Sequence, residues 1–229
     1  MKNACSGITV RCSWGRKLSG RTAYGEIIGR DGRDMSYRIV VDSCGEFTEE
    51  MERDPHFVHV ALRLNIDGEE FVDDETFDRL DFLKKMKASP NCPKSSCPSP
   101  EAYREAYDCG ADRLYAVTLS ARLSGSCNSA ELGRKLYLED HPDGKVHVFN
   151  SCSASIGETR IAQKIQECEA SGMDFETVVK TVEAFILDMH TYFVLESLDN
   201  LRKNGRLSLV KAFMASALNI KPYMGATDH

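Results

Sequence analysis

Beyond residue 36, short runs of β-branched and apolar residues alternate with longer stretches whose apolar positions repeat at helical spacing. Residues 37–41, 114–119 and 146–149 are such runs, and each one leads into polar residues, which predicts a strand followed by a loop. Residues 58–65 alternate between apolar and polar positions before the turn signal Asp67-Gly68, which predicts a half-exposed strand. This succession of strands and helices predicts an α/β fold with a largely parallel sheet.

Two helices are predicted on either side of a proline-rich loop. Residues 74–88 form the first, with one apolar face made of Phe77, Leu80, Leu83 and Met86. Residues 88–100 carry four prolines and predict a loop. Ser99 is a suitable N-cap for the second helix, which has Pro100 in its first turn. A further helix is expected at residues 127–138.

The last third of the chain begins with two more predicted helices. The first ends at Gly172, and the second is capped by Asp174. Its apolar face fits helical spacing closely and consists of Phe175, Val178, Val179, Val182, Phe185, Ile186 and Met189. A strand is expected at residues 191–195, followed by short helices at 198–203 and 209–218.

The first 36 residues differ from the rest in charge and pattern. They contain seven Lys or Arg residues against three acidic residues, and six glycines that disfavour a helix. Because no apolar period runs through residues 1–36, we expect a disordered N-terminal extension or a start codon placed too far upstream. An organelle transit peptide is the alternative, since the first 25 residues hold no acidic side chain.

Charge and hydropathy narrow the functional classes. The net charge of −6 disfavours nucleic acid as a partner, because phosphate binding requires a concentrated basic surface. No segment approaches the roughly 18 apolar residues of a membrane span, and no secretory signal is visible. We therefore expect a cytoplasmic protein without stable membrane insertion. Nine cysteines, an odd number without zinc-type spacing, predict free and mostly buried thiols.

Two serine-rich segments are candidates for binding an anion. Residues 120–126 join a strand to a helix, so backbone N–H groups and the hydroxyls of Ser124 and Ser126 would face a bound anion. Residues 94–100 hold the consecutive hydroxyls of Ser95 and Ser96 between prolines. Both segments also have a structural interpretation, in which Ser124 or Ser126 is a plain N-cap and the second segment is a solvated turn.

These segments belong to a set of motifs that occur in a fixed order along the chain. Lys-Ser-Ser-Cys-Pro-Ser-Pro at 94–100 resembles the Lys-Thr-Ser-Gln-Pro-Ser-Pro loop of the DegV family of bacterial fatty-acid-binding proteins. Leu-Ser-Ala-Arg-Leu-Ser-Gly-Ser at 119–126 is similar to that family's Ser-Ser-x-Leu-Ser-Gly-Thr stretch. The segments 41–43, 150–155, 198–208 and 218–222 resemble further family motifs in the same order.

The resemblance implies two α/β domains, an N-terminal fatty-acid-binding domain at 37–170 and a C-terminal domain at 171–229 that is truncated here. It implies a long-chain fatty acid as ligand, such as hexadecanoate or octadecenoate, with its carboxylate held by Ser95, with or without Ser96, and by Ser124. It also implies a fatty acid kinase as partner, which converts the bound carboxylate to an acyl phosphate. Arg206 occupies a position that is functional in that relationship, although a solvated loop arginine is the alternative.

The sequence departs from the family pattern beside these positions. Ser95 stands where threonine is usual, Cys97 replaces a glutamine, and Ala121 replaces one of two paired serines. The resemblance implies a non-catalytic protein without a cofactor, and the cysteine spacings favour no metal. No nucleophile elbow, phosphate loop or HExxH helix is present to favour an enzyme. The alternatives are a stand-alone hydrolase or phosphotransferase, and a binding module for another small anion.

Overall fold

The computed structural model describes residues 36–194, Lys203 and residues 223–225. Each helix in this part of the chain is too short or too polar to span a bilayer. The elements, in chain order, are β1 (Tyr37–Asp42), α1 (Glu49–Arg53), β2 (Phe57–Val60), β3 (Arg63–Ile66), β4 (Glu69–Val72), α2 (Arg79–Ala88), β5 (Lys94–Ser96), α3 (Pro100–Tyr107), β6 (Arg113–Thr118), α4 (Ser126–Asp140), β7 (Lys145–Asn150), α5 (Ile156–Ala170), α6 (Phe175–Asp188), β8 (Tyr192–Val194) and β9 (Tyr223–Gly225).

A four-stranded parallel sheet lies between two layers of helices, which confirms the predicted α/β class. Its strand order is β2-β1-β6-β7. Alternate side chains of β1 enter two different cores, because successive residues of a strand point to opposite faces. Val40 packs with α3 and α4 on one face, and Ile39 and Val41 pack with α5 and α6 on the other. The two central strands are therefore buried on both sides.

A second, antiparallel sheet of order β4-β3-β5 was not predicted. The alternating segment 58–65 was expected to be one strand, but it is two strands in different sheets. The break falls at Leu62, whose N–H donates to the hydroxyl of Ser43 at 3.0 Å instead of to a neighbouring strand. The proline-rich segment 88–100 was expected to be entirely loop, yet it contributes β5 as the third strand.

The predicted helix at 74–88 is also shorter than expected. It begins at Arg79 after the cap Asp78, and none of its side chains is buried. Leu80 is 70% exposed, and Phe77 precedes the helix. The amphipathic spacing was misleading because α2 packs on the small sheet, where none of its side chains is buried. Its Phe82 contacts Phe71 there, with ring centroids 5.3 Å apart.

Other local predictions are confirmed. Ser99 and Asp174 cap α3 and α6 by accepting hydrogen bonds from Ala102 N and Thr177 N. Gly172 follows α5 with a φ of 73°. The predicted strand at 191–195 is β8, which pairs with β9 in an antiparallel manner. The predicted extension 1–36, apart from Ser36, and the helices at 198–203 and 209–218, apart from the helical residue Lys203, lie outside the described residues.

The cysteines agree with the sequence prediction in one respect only. The seven in the described part of the chain are free thiols, as expected. Of these, Cys168 alone is buried, and the others are partly exposed, so the expectation of mostly buried thiols was wrong.

Candidate functional site

The parallel sheet has a switch point between its two central strands. From β1 the chain continues to β2 on one side, and from β6 it continues to β7 on the other. In open α/β sheets, ligands bind in the crevice outside the carboxyl ends of the two strands at such a point. In this protein a hydrogen bond connects the carboxyl ends of β1 and β6. The N–H of Leu119, after β6, donates to Oδ2 of Asp42, at the end of β1, at 2.8 Å.

The turn between β6 and α4 lies at this crevice and carries Ser124. Its backbone is closed by the carbonyl of Ser120, which accepts hydrogen bonds from Leu123 N at 2.8 Å and Ser124 N at 3.1 Å. Ser124 Oγ accepts from Ser126 N at 3.2 Å and lies 3.0 Å from Ser126 Oγ. Ser126 is fully buried, whereas Ser124 is partly exposed. The N-cap residue of α4 is Gly125, and no side chain caps it, so neither serine is the plain N-cap.

The small sheet is attached to the same edge of the parallel sheet through Ser43. This residue follows β1, and its hydroxyl donates to Oδ2 of Asp73 at 2.8 Å while it accepts from Leu62 N. Asp73 N in turn donates to Leu62 O at 2.9 Å. These hydrogen bonds hold the segments before β3 and after β4 close to the carboxyl end of β1.

The β5 segment approaches the Ser124 turn. A Cβ atom on Gly125 would lie only 3.1 Å from Sγ of Cys97, the residue that follows β5. Sγ of Cys97 also lies 3.6 Å from Ser129 Oγ in the first turn of α4. The structure therefore brings the two serine-rich segments together at one end of the sheet.

Ser95 and Ser96 are both exposed, but they lie on opposite faces of the small sheet. Ser95 pairs with Leu64, which pairs in turn with Phe71, whereas Ser96 pairs with Arg63. Directly paired residues share a face. Leu64 and Phe71 thus lie on the face of Ser95, and Arg63 lies on that of Ser96.

Beneath the Ser124 turn lies a buried group of side chains that the sequence analysis did not identify. One ligand atom each from Asp42, Cys44 and Glu158 lies within 4.8 Å of the others. Asp42 and Glu158 are both 0% exposed. Burial raises the pKa of both carboxyls, and for Glu158 the charge of Asp42 acts in the same direction. Burial likewise raises the pKa of the Cys44 thiol.

Within the described part of the chain, this group is the one whose spacing suits a metal ion. Its surroundings favour a proton instead. Asp42 already accepts from Leu119 N and from Cys44 N, at 2.8 and 3.2 Å, and Glu158 Oε1 accepts from Ser155 N at 3.1 Å. A thiol with a raised pKa is a poor metal ligand, because metals bind the thiolate.

The fourth candidate residue, Arg206, lies outside the described residues. The three serines are therefore the predicted site residues that the structure locates. Glu158 was missed although the sequence carries a signal for it. It precedes Ile161, Ile165 and Cys168 at helical spacing, so that a carboxyl occupies a position on the apolar stripe of α5.

Fold and site together define an open α/β protein with two serine-bearing segments at the switch point of its parallel sheet. The chain belongs to the DegV family of uncharacterised proteins, whose sequence profile it matches over residues 36–229. A DegV domain-containing protein of Streptococcus pneumoniae is 37% identical over 189 residues, which cover 82% of this chain and 67% of that protein.

Two crystal structures resemble this chain closely. One is a DegV family protein from Ruminococcus gnavus with vaccenic acid, at 56% identity and a TM-score of 0.79. The other is the Streptococcus pneumoniae fatty acid kinase (Fak) B3 protein loaded with linoleic acid, at 36% identity and a TM-score of 0.76. Each similarity covers 85% of this chain and 69% of the other.

Proposed function

We propose that this protein binds one long-chain fatty acid, such as hexadecanoate or octadecenoate, with its carboxylate in the crevice at the Ser124 turn. The observation that carries the proposal is the meeting of two hydroxyl-bearing segments at this point, through the contact of Cys97 with Gly125. Ser124 Oγ accepts from Ser126 N, and the other N–H groups in the first turn of α4 add backbone donors there. The fatty acids bound by the Ruminococcus and Streptococcus relatives support the same ligand class.

Neutral donors are well suited to this ligand. A carboxylate that accepts from hydroxyls and helix-end amides needs no buried counter-charge, and burying such a charge is costly. Each buried CH₂ of the acyl chain contributes about 0.8 kcal/mol, so the tail dominates the affinity and the serines fix the orientation.

Of the two β5 hydroxyls, we assign the carboxylate contact to Ser95. It lies on the same face of the small sheet as Leu64 and Phe71, so that a hydroxyl and apolar side chains adjoin there. Ser96 lies on the opposite face beside Arg63. This arrangement suits a ligand with a polar head and an apolar tail on the Ser95 side.

We further propose that the protein is non-catalytic and presents the bound acid to a fatty acid kinase, with no cofactor of its own. The name of the Streptococcus pneumoniae relative supports this role. Arg206 is the residue proposed to act with the kinase, from the motif at 198–208. An Arg206→Ala variant should retain lipid binding and lose kinase-dependent acyl phosphate formation. Equal rates for variant and wild type would return Arg206 to a solvated loop role.

Mass spectrometry of lipids extracted from the purified protein tests the ligand class. A long-chain fatty acid at near-equal stoichiometry is expected, whereas a phosphate ester, or substrate turnover without any partner, would overturn the proposal. Replacing Ser95 and Ser124 together by alanine should weaken binding by at least about tenfold, because a hydrogen bond to a charged group contributes about 1.5–3 kcal/mol. Ser96→Ala is the matched control and should bind like the wild type.

A further inference from the structure

The buried pair of Asp42 and Glu158 has no role yet in the proposed function. Glu158 Oε2 is buried and receives no hydrogen bond from the described residues. A buried ionised oxygen without a donor is costly, and a second buried carboxylate beside it increases the cost. Both costs fall if Glu158 carries a proton and donates it to Asp42, since one carboxyl oxygen of each residue lies within 4.8 Å of the other.

Asp42 connects this proton to the Ser124 turn. Its carboxylate accepts from Leu119 N at the start of the turn, and the nearby hydroxyl of Ser126 at the start of α4 acts against the rise in the pKa of Asp42 that burial causes. A hydroxyl has a single proton. A Ser126 hydroxyl that donates to Asp42 can only accept in its 3.0 Å contact with Ser124 Oγ. The proton of Ser124 is then available either to Ser126 or to a ligand.

We propose that Glu158 is a positioning residue for the fatty-acid head group: its protonated carboxyl donates to Asp42, and Asp42 in turn fixes Leu119 N–H and Ser126, which hold Ser124 where it donates to the ligand. The protonated form also limits the pair to one negative charge, which reduces repulsion of an incoming carboxylate. This assignment rests on the proposed function, since Ser124 has no head group to meet otherwise.

Four variants test the assignment through one ratio, the affinity for a fatty acid divided by the affinity for its methyl ester. The acyl chain and any general loss of stability affect both affinities equally, so their contributions cancel in the ratio. Glu158→Gln keeps an uncharged donor and should leave the ratio within about twofold of wild type. Glu158→Leu and Ser126→Ala break the connection and should lower it about tenfold. Ile165→Val, in the core on the same helix, is the control and should leave it unchanged.

The outcomes separate this proposal from its alternatives. An unchanged ratio in Glu158→Leu, or an equal loss in Glu158→Gln, would overturn the positioning role. If Glu158→Leu fails to fold, Ser126→Ala decides in its place. Infrared difference spectroscopy of ligand-free protein at neutral pH should show the carbonyl band of an un-ionised carboxylic acid that Glu158→Gln lacks. Absence of this band from the wild type would also overturn the proposal.

Failure of the proposed function is distinguishable from failure of this inference. If the wild-type protein binds neither the acid nor the ester, the proposed function fails, and the ratio has no meaning. Amide hydrogen exchange of Ser124 and Ser126 in ligand-free protein then decides the positioning role. Both amides should exchange faster in Glu158→Leu and at the wild-type rate in Glu158→Gln. Equal rates in all three proteins would overturn it.

Discussion

Two serine-rich turns leave the same edge of the parallel sheet and each leads into a helix of 15 residues, but their hydroxyls are used differently. In the turn after β7, Ser151 and Ser153 are buried, and Ser151 Oγ accepts from Ser153 N and donates to Ser153 O. In the turn after β6, Ser124 is partly exposed. The comparison separates a buried hydroxyl that braces its own turn, as Ser151 does, from a partly exposed hydroxyl such as that of Ser124, which a ligand could reach.

The two turns also differ in backbone conformation. Cys152 and Ser155, in the turn after β7, have positive φ values of 50° and 54°. Described non-glycine residues of the turn after β6 have none. Strained backbone persists where surrounding contacts over-determine it. Asp42 and Glu158 join the two turns, since Asp42 binds Leu119 N and Glu158 binds Ser155 N.

Removing Asp42, which connects the two turns, should lower the stability of the protein more than any other change considered below. Asp42→Leu leaves Leu119 N–H and Cys44 N–H without their buried acceptor, and at about 1–3 kcal/mol for each unsatisfied group this costs about 2–6 kcal/mol. The free energy of unfolding in urea should fall by that amount. Asp42→Asn keeps the shape and should lose clearly less. A loss below about 1 kcal/mol in Asp42→Leu would show that the two turns are stabilised independently.

The two turns should respond oppositely to loss of a hydroxyl. Ser151→Ala removes a buried donor and acceptor and should lower the free energy of unfolding by about 1–3 kcal/mol, with fatty-acid affinity unchanged. Ser124→Ala should change stability by less than about 0.5 kcal/mol, because the side chain is partly exposed. Urea unfolding and ligand titration of both variants check this crossed pattern. The comparison fails if Ser151→Ala weakens binding as much as Ser124→Ala does.

The proton on Glu158 predicts a pH dependence of stability. The folded-state pKa is raised to about 10 by burial first and then by the charge of Asp42, so folding takes up a proton above the usual carboxyl pKa. Stability from this group is complete at low pH and is lost as pH rises towards 10, by up to about 1.4 kcal/mol per pH unit. The difference in stability between wild type and Glu158→Gln, followed from pH 6 to 9, isolates this group from the histidines. A constant difference would contradict the prediction.

The smallest expected effect is a gain. Ser155 has φ 54° and ψ −119°, a conformation that favours glycine, at the start of α5. Ser155→Gly should therefore raise the free energy of unfolding by about 0.5 kcal/mol, since replacing a serine cap by glycine costs only a few tenths. Ser155→Ala, which keeps the strained backbone, should lower it. Thermal unfolding of the three proteins checks the sign.

Prediction from sequence worked where one local signal decided the structure. β1, β6 and β7 are continuous apolar runs, and α3 and α6 have suitable caps, so their identity did not depend on distant contacts. The small antiparallel sheet could not be predicted in this way. Alternation continues through Leu62, and only the long-range contact with Ser43 shows that the strand is broken there.

The candidate site also contains residues that a local motif predicts and residues that only long-range contacts bring together. The motifs identified Ser95, Ser96 and Ser124 as a group, but the pleat of a three-residue strand was needed to assign Ser95 and Ser96 to different faces. The partnership of Asp42 with Glu158 joins positions far apart in sequence, and no pattern within either segment predicts it. A carboxyl on an apolar helical stripe was the available signal, and it indicates burial without naming the partner.

The strand order also fixes when the crevice can form during synthesis. Tyr37 pairs with Arg113, so β1 meets its central neighbour only after α1, the small sheet, α2 and α3 have been made. Ribosomes add about 5–20 residues per second, and a two-stranded unit of β1 and β2 is marginal during that interval. Asp42 and Leu119 come together when β6 docks. The arrangement of the Ser124 turn over the end of β1 is therefore absent from every nascent chain that ends before β6.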